Sequence, residues 1–245
     1  MLRSVKSILG LRMGAKDGEI GKVDSLLFDE ISWVIRYIVV NTGSWLPGRK
    51  VLLSPIALGQ PNWQAKIIPV ELTTEQIKES PDIDTDKPIS EQCEIELHKH
   101  YNWTPYWGVG AFAAAPPAPT QEEKTVAAVE AKDKVDHTLR STAEVTGYSI
   151  QASDGDIGHI EDFIVNDENW TIPYLVIDTR NWLPGRSVLI SPQWVERISW
   201  PQSKVWVDLR KDTIKDSPAY DPSAPVNREY EARLYDYYGR PKYWA

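Results

Sequence analysis

The chain has 245 residues, 42% of them hydrophobic, with a net charge of −8 and a single cysteine. That length admits one or two domains with real cores, and interspersed acidic and basic residues without a Lys/Arg block argue against direct nucleic-acid binding. Cys93 alone cannot form an internal disulfide, which fits a reducing, cytoplasmic compartment.

Residues 1–14 mix apolar side chains with Arg3, Lys6 and Arg12 and lack the apolar stretch of about 7–15 residues that a signal peptide needs. Strand and turn signals follow. Asp17-Gly18 is a dipeptide that accepts positive φ in a two-residue hairpin. Residues 23–28 lead through a polar turn to residues 33–40, which are dense in β-formers and read as a central strand. Pro47-Gly48 suits a type II turn before the strand at 51–53, and Ser54-Pro55 ends that strand because proline offers no N–H to a ladder. Residues 65–70 supply one more strand. The total of about five or six favours a small barrel that removes its own edges. Pro81 then opens an irregular stretch, Ser90 can cap a helix, and Cys93, Leu97 and Tyr101 recur at i, i+4 and i+8 on a tail helix ending in Tyr106-Trp107.

Residues 108–136 open with an Ala/Pro-rich run, a composition that favours an extended spacer, and continue with Glu, Ala and Lys but no broad apolar face; a mobile linker is expected. Beyond it the first pattern returns at an offset of about 137 residues, without insertion, with roughly 35 identities over about 106 positions. Asp154-Gly155, Trp182-Leu183-Pro184-Gly185-Arg186, Ser191-Pro192, the stripe Tyr230/Leu234/Tyr238 and the final Tyr243-Trp244 all have counterparts in the first half. The sequence therefore divides into residues 1–107, the linker 108–136 and residues 137–245. Each repeat is expected to be an all-β barrel with a C-terminal helix and aromatic tail. Apolar runs such as 37–40 and 51–53 are strand-length, far below the roughly 20 residues of a membrane helix, so no transmembrane segment is expected.

The opening Gly10 with Asp17-Gly18 and Gly21, the Trp-Leu-Pro-Gly-Arg turn, the Ser-Pro strand end and the Tyr-Trp tail together resemble the PRC-barrel family, whose relatives include the cytoplasmic part of the photosynthetic reaction centre H subunit. The resemblance covers both repeats and spares the linker. It implies six-stranded barrels that serve as protein-contact modules of a bacterial-type protein. The chain departs from two relatives: it has neither the H subunit's membrane helix nor the companion domain of a ribosome-maturation factor.

Chemistry-bearing residues read as structural. His98, His100, His137 and His159 are too few and wrongly spaced for a metal site. Asp82, Asp84 and Asp86 alternate like the start of a calcium loop, but no glycine follows where one is required. Ser54 and Ser191 have no nucleophile context, and Cys93 falls on the apolar stripe. Glu94 and Glu231 in the tail helices are expected to dock those helices by an ion pair or a backbone hydrogen bond, with Arg49 and Arg186 as the natural partners. Trp33, Trp170, Tyr37 and Tyr174 read as core or barrel surface, whereas Trp45 and Trp182 either fold back on the rim or present interface hot spots beside Arg49 and Arg186.

The resulting expectation is a non-enzymatic protein without cofactors that binds a protein partner through Trp45, Arg49, Trp182, Arg186 and the tails Tyr106, Trp107, Tyr243 and Trp244. The two repeats are expected to pair about an approximate two-fold axis. By fold-level resemblance the alternative is an accessory of a membrane electron-transfer complex or of ribosome assembly.

Overall fold

A computed structural model describes residues 1–83, 89–106, 139–179 and 186–244. The linker, His137, Asp84, Asp86, Trp107, Trp182 and the Pro184-Gly185 turn lie outside the described residues. In the first half, strands β1 (Leu2–Ser4), β2 (Arg12–Ala15), β3 (Gly18–Asp29), β4 (Ile35–Asn41), β5 (Lys50–Leu53) and β6 (Ile67–Pro69) accompany helices α1 (Val5–Ile8), α2 (Thr74–Lys78) and α3 (Glu91–Tyr101). In the second half, β7 (Leu139–Ser141), β8 (Ser149–Ala152), β9 (Gly155–Asn166), β10 (Tyr174–Asp178), β11 (Ser187–Ile190), β12 (Val195–Ser199), β13 (Lys204–Val207) and β14 (Ala219–Tyr220) accompany α4 (Thr142–Val145), α5 (Lys211–Lys215) and α6 (Arg228–Tyr238).

These strands make two sheets, ordered β5-β4-β3-β2-β6 and β12-β13-β8-β9-β10-β11-β14. The chain is thus β-rich, as its strand and turn signals indicate. Each path is open and contains one parallel pair, β2 beside β6 and β8 beside β13. Bulges interrupt the long strands, between Val23 and Ser25 and between Val176 and Ile177, which bends the sheets.

The first strand of each half belongs to the other half's sheet. β1 pairs antiparallel with the end of β9, Leu2 against Asn166 and Ser4 against Ile164, while β7 pairs with the end of β3, Leu139 against Asp29 and Ser141 against Leu27. The exchanged segments are fastened by side chains as well. Ser4 Oγ donates to Asp162, the amide of Leu26 donates to Thr142 Oγ1 at 3.3 Å, and Arg140 meets Glu30 at 2.8 Å. Between them Phe28 and Phe163 approach to 6.0 Å between ring centroids.

Two close approaches explain particular glycines. At Gly21 (φ +139) a Cβ would lie 2.1 Å from the carbonyl oxygen of Asn41, and at Gly158 (φ +127) 1.9 Å from that of Asp178, so only glycine lets these neighbouring strands touch. The Asp-Gly hairpins differ from expectation. Ala15 pairs with Gly18, so the two-residue loop is Lys16-Asp17 rather than Asp17-Gly18, and Asp17 has no positive φ. Asp17 instead accepts from the backbone N–H of Thr74 at 2.7 Å, and Asp154 does the same for Lys211 at 2.8 Å. These bonds hold the starts of α2 and α5, and they lower both carboxyl pKa values.

Other signals are met closely. Gly48 has φ +77 and Arg49 N–H donates to Leu46 O at 3.1 Å, which is a type II turn. Ser54 and Ser191 cap short 3-10 turns that open at Pro55 and Pro192. β12 has no full counterpart in the first half, where Leu58 and Asn62 make isolated bridges to Val70 and Ile67; Pro61 stands in the place of Ile198 and removes the N–H a strand there needs.

Candidate functional site

Ser90 caps its tail helix as expected, Oγ accepting from Cys93 N–H at 3.2 Å, and Asn227 Oδ1 caps the other by accepting from Tyr230 N–H at 2.9 Å. The helices end on left-handed Asn102 and Gly239. Leu97 and Leu234 are fully enclosed, and so is a carboxylate one turn earlier in each helix, Glu94 and Glu231. A buried carboxylate needs strong donors. Their donors are tyrosines, not Arg49 or Arg186. Glu94 accepts from Tyr37 Oη at 3.0 Å and from Tyr106 Oη at 2.6 Å. Glu231 accepts from Tyr174 Oη at 2.9 Å and from Tyr243 Oη at 2.8 Å. In both halves a core strand, the tail helix and the final aromatic residues meet on one carboxylate.

Burial, followed by the adjacent carboxylate charge, pushes the Tyr37, Tyr106 and Tyr174 phenols far above their ordinary range and Tyr243 up to about 12. These hydroxyls stay protonated and act as fixed donors. His98 stands 2.9 Å from Tyr37 Oη through its Nε2. Burial lowers its pKa, which favours the neutral ring.

The two halves supply a cation differently. Arg36 lies over the Tyr106 ring at 4.0 Å, whereas position 173 is proline, and Arg228 meets Glu231 at 3.1 Å and stacks on Trp244 at 4.3 Å. This difference shapes two clefts at the junction between the halves. The smaller, about 330 Å³, is lined by Arg36, Ile56, His98 and Tyr106 together with Asn169 and Trp170 of the other half. The larger, about 660 Å³, is lined by Pro173, Gln193, Tyr235 and Tyr243 together with Ser32 and Trp33. The four second-half residues of the larger cleft each stand about 137 positions after the four first-half residues of the smaller.

Trp45 is half-buried and packs on the core. Arg49 spends its guanidinium on Lys78 O at 2.7 Å, Ser80 O, Ser80 Oγ at 3.2 Å and Asp82 at 3.5 Å, pinning the segment before the tail helix. Arg186 is half-buried, with its backbone carbonyl held by Thr179 Oγ1 at 2.6 Å. Tyr106 and Tyr243 belong to the carboxylate nodes, and Trp244 packs against the core with its ring 5.1 Å from that of Tyr235. The tyrosine-carboxylate pairing was not read from sequence, although Tyr37, Glu94 and Tyr106 all recur in the second half, and that joint recurrence was the available signal.

Among the described residues no group of three or more His, Cys, Asp or Glu is placed to hold a metal ion, and no helix is long and apolar enough to cross a membrane. No protein-family model matches the sequence, and no curated protein matches it significantly.

Proposed function

We propose that the chain is a tandem PRC-barrel-type protein that acts without catalysis as a protein-contact scaffold, its two repeats serving as one body. The observation that carries this reading is the reciprocal exchange of β1 and β7. It spends each repeat's first strand on joining the halves. The residues with the most chemical potential, Glu94, Glu231 and His98, are engaged with tyrosines that dock the tail helices, which supports a structural role for them. What the fold leaves outward is a set of cleft rims and turns, including Ile31 at 79% and Ile56 at 66% exposure, and these suit contact with another protein.

The test is affinity capture from native lysate with the membrane and ribosome fractions kept apart, followed by cross-linking of the captured complex. A defined protein partner cross-linked to this chain in one fraction supports the scaffold reading and decides between a membrane-complex and a ribosome-assembly setting. Turnover of a substrate by the purified chain overturns it.

A further inference from the structure

The smaller cleft shows what fits against its tyrosine. Arg36 places its guanidinium 4.0 Å from the centre of the Tyr106 ring and donates from Nη2 to Ser32 Oγ at 3.3 Å. In the larger cleft proline occupies the corresponding position, 173, and cannot reach the ring. Tyr243 is 43% exposed there. Its nearest guanidinium, that of Arg228, is 5.7 Å from the ring centre and does not line the cleft, being committed to Glu231 and Trp244. Arg197 does line it, but stacks on Trp206 at 3.7 Å.

The rest of the lining differs between the two clefts as well. Tyr235 lines the larger cleft in the position that His98 takes in the smaller one, and it is 1% exposed. Its hydroxyl is enclosed beside Ser191 and Tyr174 and leaves the ring edge to the cleft. The carboxylate of Glu196 stands exposed on the same lining, and Gln193 replaces the apolar Ile56. An aromatic face, a carboxylate and neutral oxygen acceptors make a suitable setting for a planar cation, and the volume lies within the range of small-ligand sites.

We propose that the larger cleft binds a guanidinium group, which takes from outside the place that Arg36 fills from within in the smaller cleft. The proposal does not depend on the barrel assignment or on the scaffold reading. Two sources share this chemistry: a free small guanidine compound and an arginine side chain presented by a polypeptide.

The test titrates the full-length protein with N-acetyl-arginine methylamide and with its citrulline counterpart, which has the same shape without the charge, following binding by calorimetry and tyrosine fluorescence. Saturable binding of the arginine compound, at least about tenfold tighter than the citrulline compound, is expected. Pro173→Arg, which fills the cleft as Arg36 fills its own, and Tyr243→Leu are each expected to weaken binding by at least about tenfold. A Gly-Gly-Arg-Gly-Gly amide that binds more tightly than the single residue assigns the polypeptide source; equal affinity assigns the free compound. No binding, equal binding of the citrulline compound, or undiminished binding by folded Pro173→Arg overturns the proposal.

Discussion

Val34 forms a β-bridge with Thr171, the residue that holds its own position in the second half of the sequence. The flanking bonds are related in the same way: Ile35 N–H donates to Trp170 O at 2.7 Å, and Ile172 N–H to Trp33 O at 2.8 Å. A contact in which a position meets its own counterpart lies on a two-fold axis. Trp33 and Trp170 both reach this contact with positive φ, 54° and 57°, which is uncommon for a bulky side chain. Each is held there by its N–H bond to Asp29 O or Asn166 O, and Trp33 also stacks on Phe28 at 5.0 Å. This pair of strained tryptophans sits where the halves join.

The close approach at Gly158 predicts a steep cost for a single methyl group. With Asp178 O only 1.9 Å from the added Cβ, Gly158→Ala must push β9 and β10 apart, and a loss of at least about 3 kcal/mol is expected in urea unfolding. Gly43 also has positive φ, but nothing lies within 4 Å of a Cβ there. Gly43→Ala should therefore cost about 1 kcal/mol. Equal losses in the two variants would show that backbone conformation, not strand contact, governs both sites.

The tyrosine-carboxylate nodes predict an ordered set of losses. Tyr174→Phe removes one of the two phenol donors to a carboxylate that is 3% exposed and should cost about 1.5–3 kcal/mol, since a bond to a buried charge is being broken. Raising the pH acts on the same groups. Folded-state phenol pKa values lie above the ordinary 10.0, with Tyr243 at about 12, so the folded protein holds protons that the unfolded chain releases. Stability is fully present below pH 10 and falls progressively above it. Phenolate absorbance and loss of far-ultraviolet ellipticity should appear together on alkaline titration; phenolate formation well before unfolding would contradict the burial of these donors.

Much of the local structure was legible from residue type, because turns and caps depend on neighbours in sequence. Pro47-Gly48, Ser54-Pro55, Ser90 and Asn227 do what their side chains dictate. The long-range choices were not legible. Residues 1–14 carry no strand signal of their own, and nothing in Leu2-Arg3-Ser4 specifies that it crosses to β9; the selection is made by register and by Asp162. The same applies to Glu94. Its charge called for a cation, but burial beside Tyr37 and Tyr106 satisfied it with phenols, and Arg49 was drawn instead to the carbonyls of Lys78 and Ser80.

Asp162 predicts a pH response of opposite origin to a surface carboxylate. It is 6% exposed, and burial raises its pKa above the ordinary 3.8 despite hydrogen bonds from Ser4, Phe163 N–H and Lys6 N–H. A raised acid binds more protons when folded, so its contribution to stability is lost as pH rises from that ordinary value through the folded one. Asp162→Asn keeps an acceptor for both amides and removes the ionisation. The variant should be no less stable than the parent at neutral pH and should show a flatter stability profile in the mildly acidic range. A variant that loses stability at neutral pH but keeps the parental profile would mean that the carboxylate charge itself is favourable there.

The strand exchange predicts how the two halves behave when separated. Produced as residues 1–110 and 137–245, each half lacks the strand that completes its longest one. β3 loses its partner at Leu27, Phe28 and Asp29, and β9 loses its partner at Ile164, Val165 and Asn166. The ion pairs Lys6 to Glu161 at 2.9 Å and Arg140 to Glu30 at 2.8 Å are lost with them, as is the contact between Phe28 and Phe163. The exposed pairing edges and apolar surface favour re-association, offset by the translational and rotational freedom given up on binding. Mixed in equal amounts, the halves are expected to form a one-to-one complex by sedimentation, at concentrations on the order of tens of micromolar or below. Amide hydrogens at 27–29 and 164–166 should exchange quickly in each half alone and regain protection on mixing. Halves that stay monodisperse and unassociated, with those amides already protected, would mean that each repeat completes its sheet from its own residues and that the exchange is not required for either to fold.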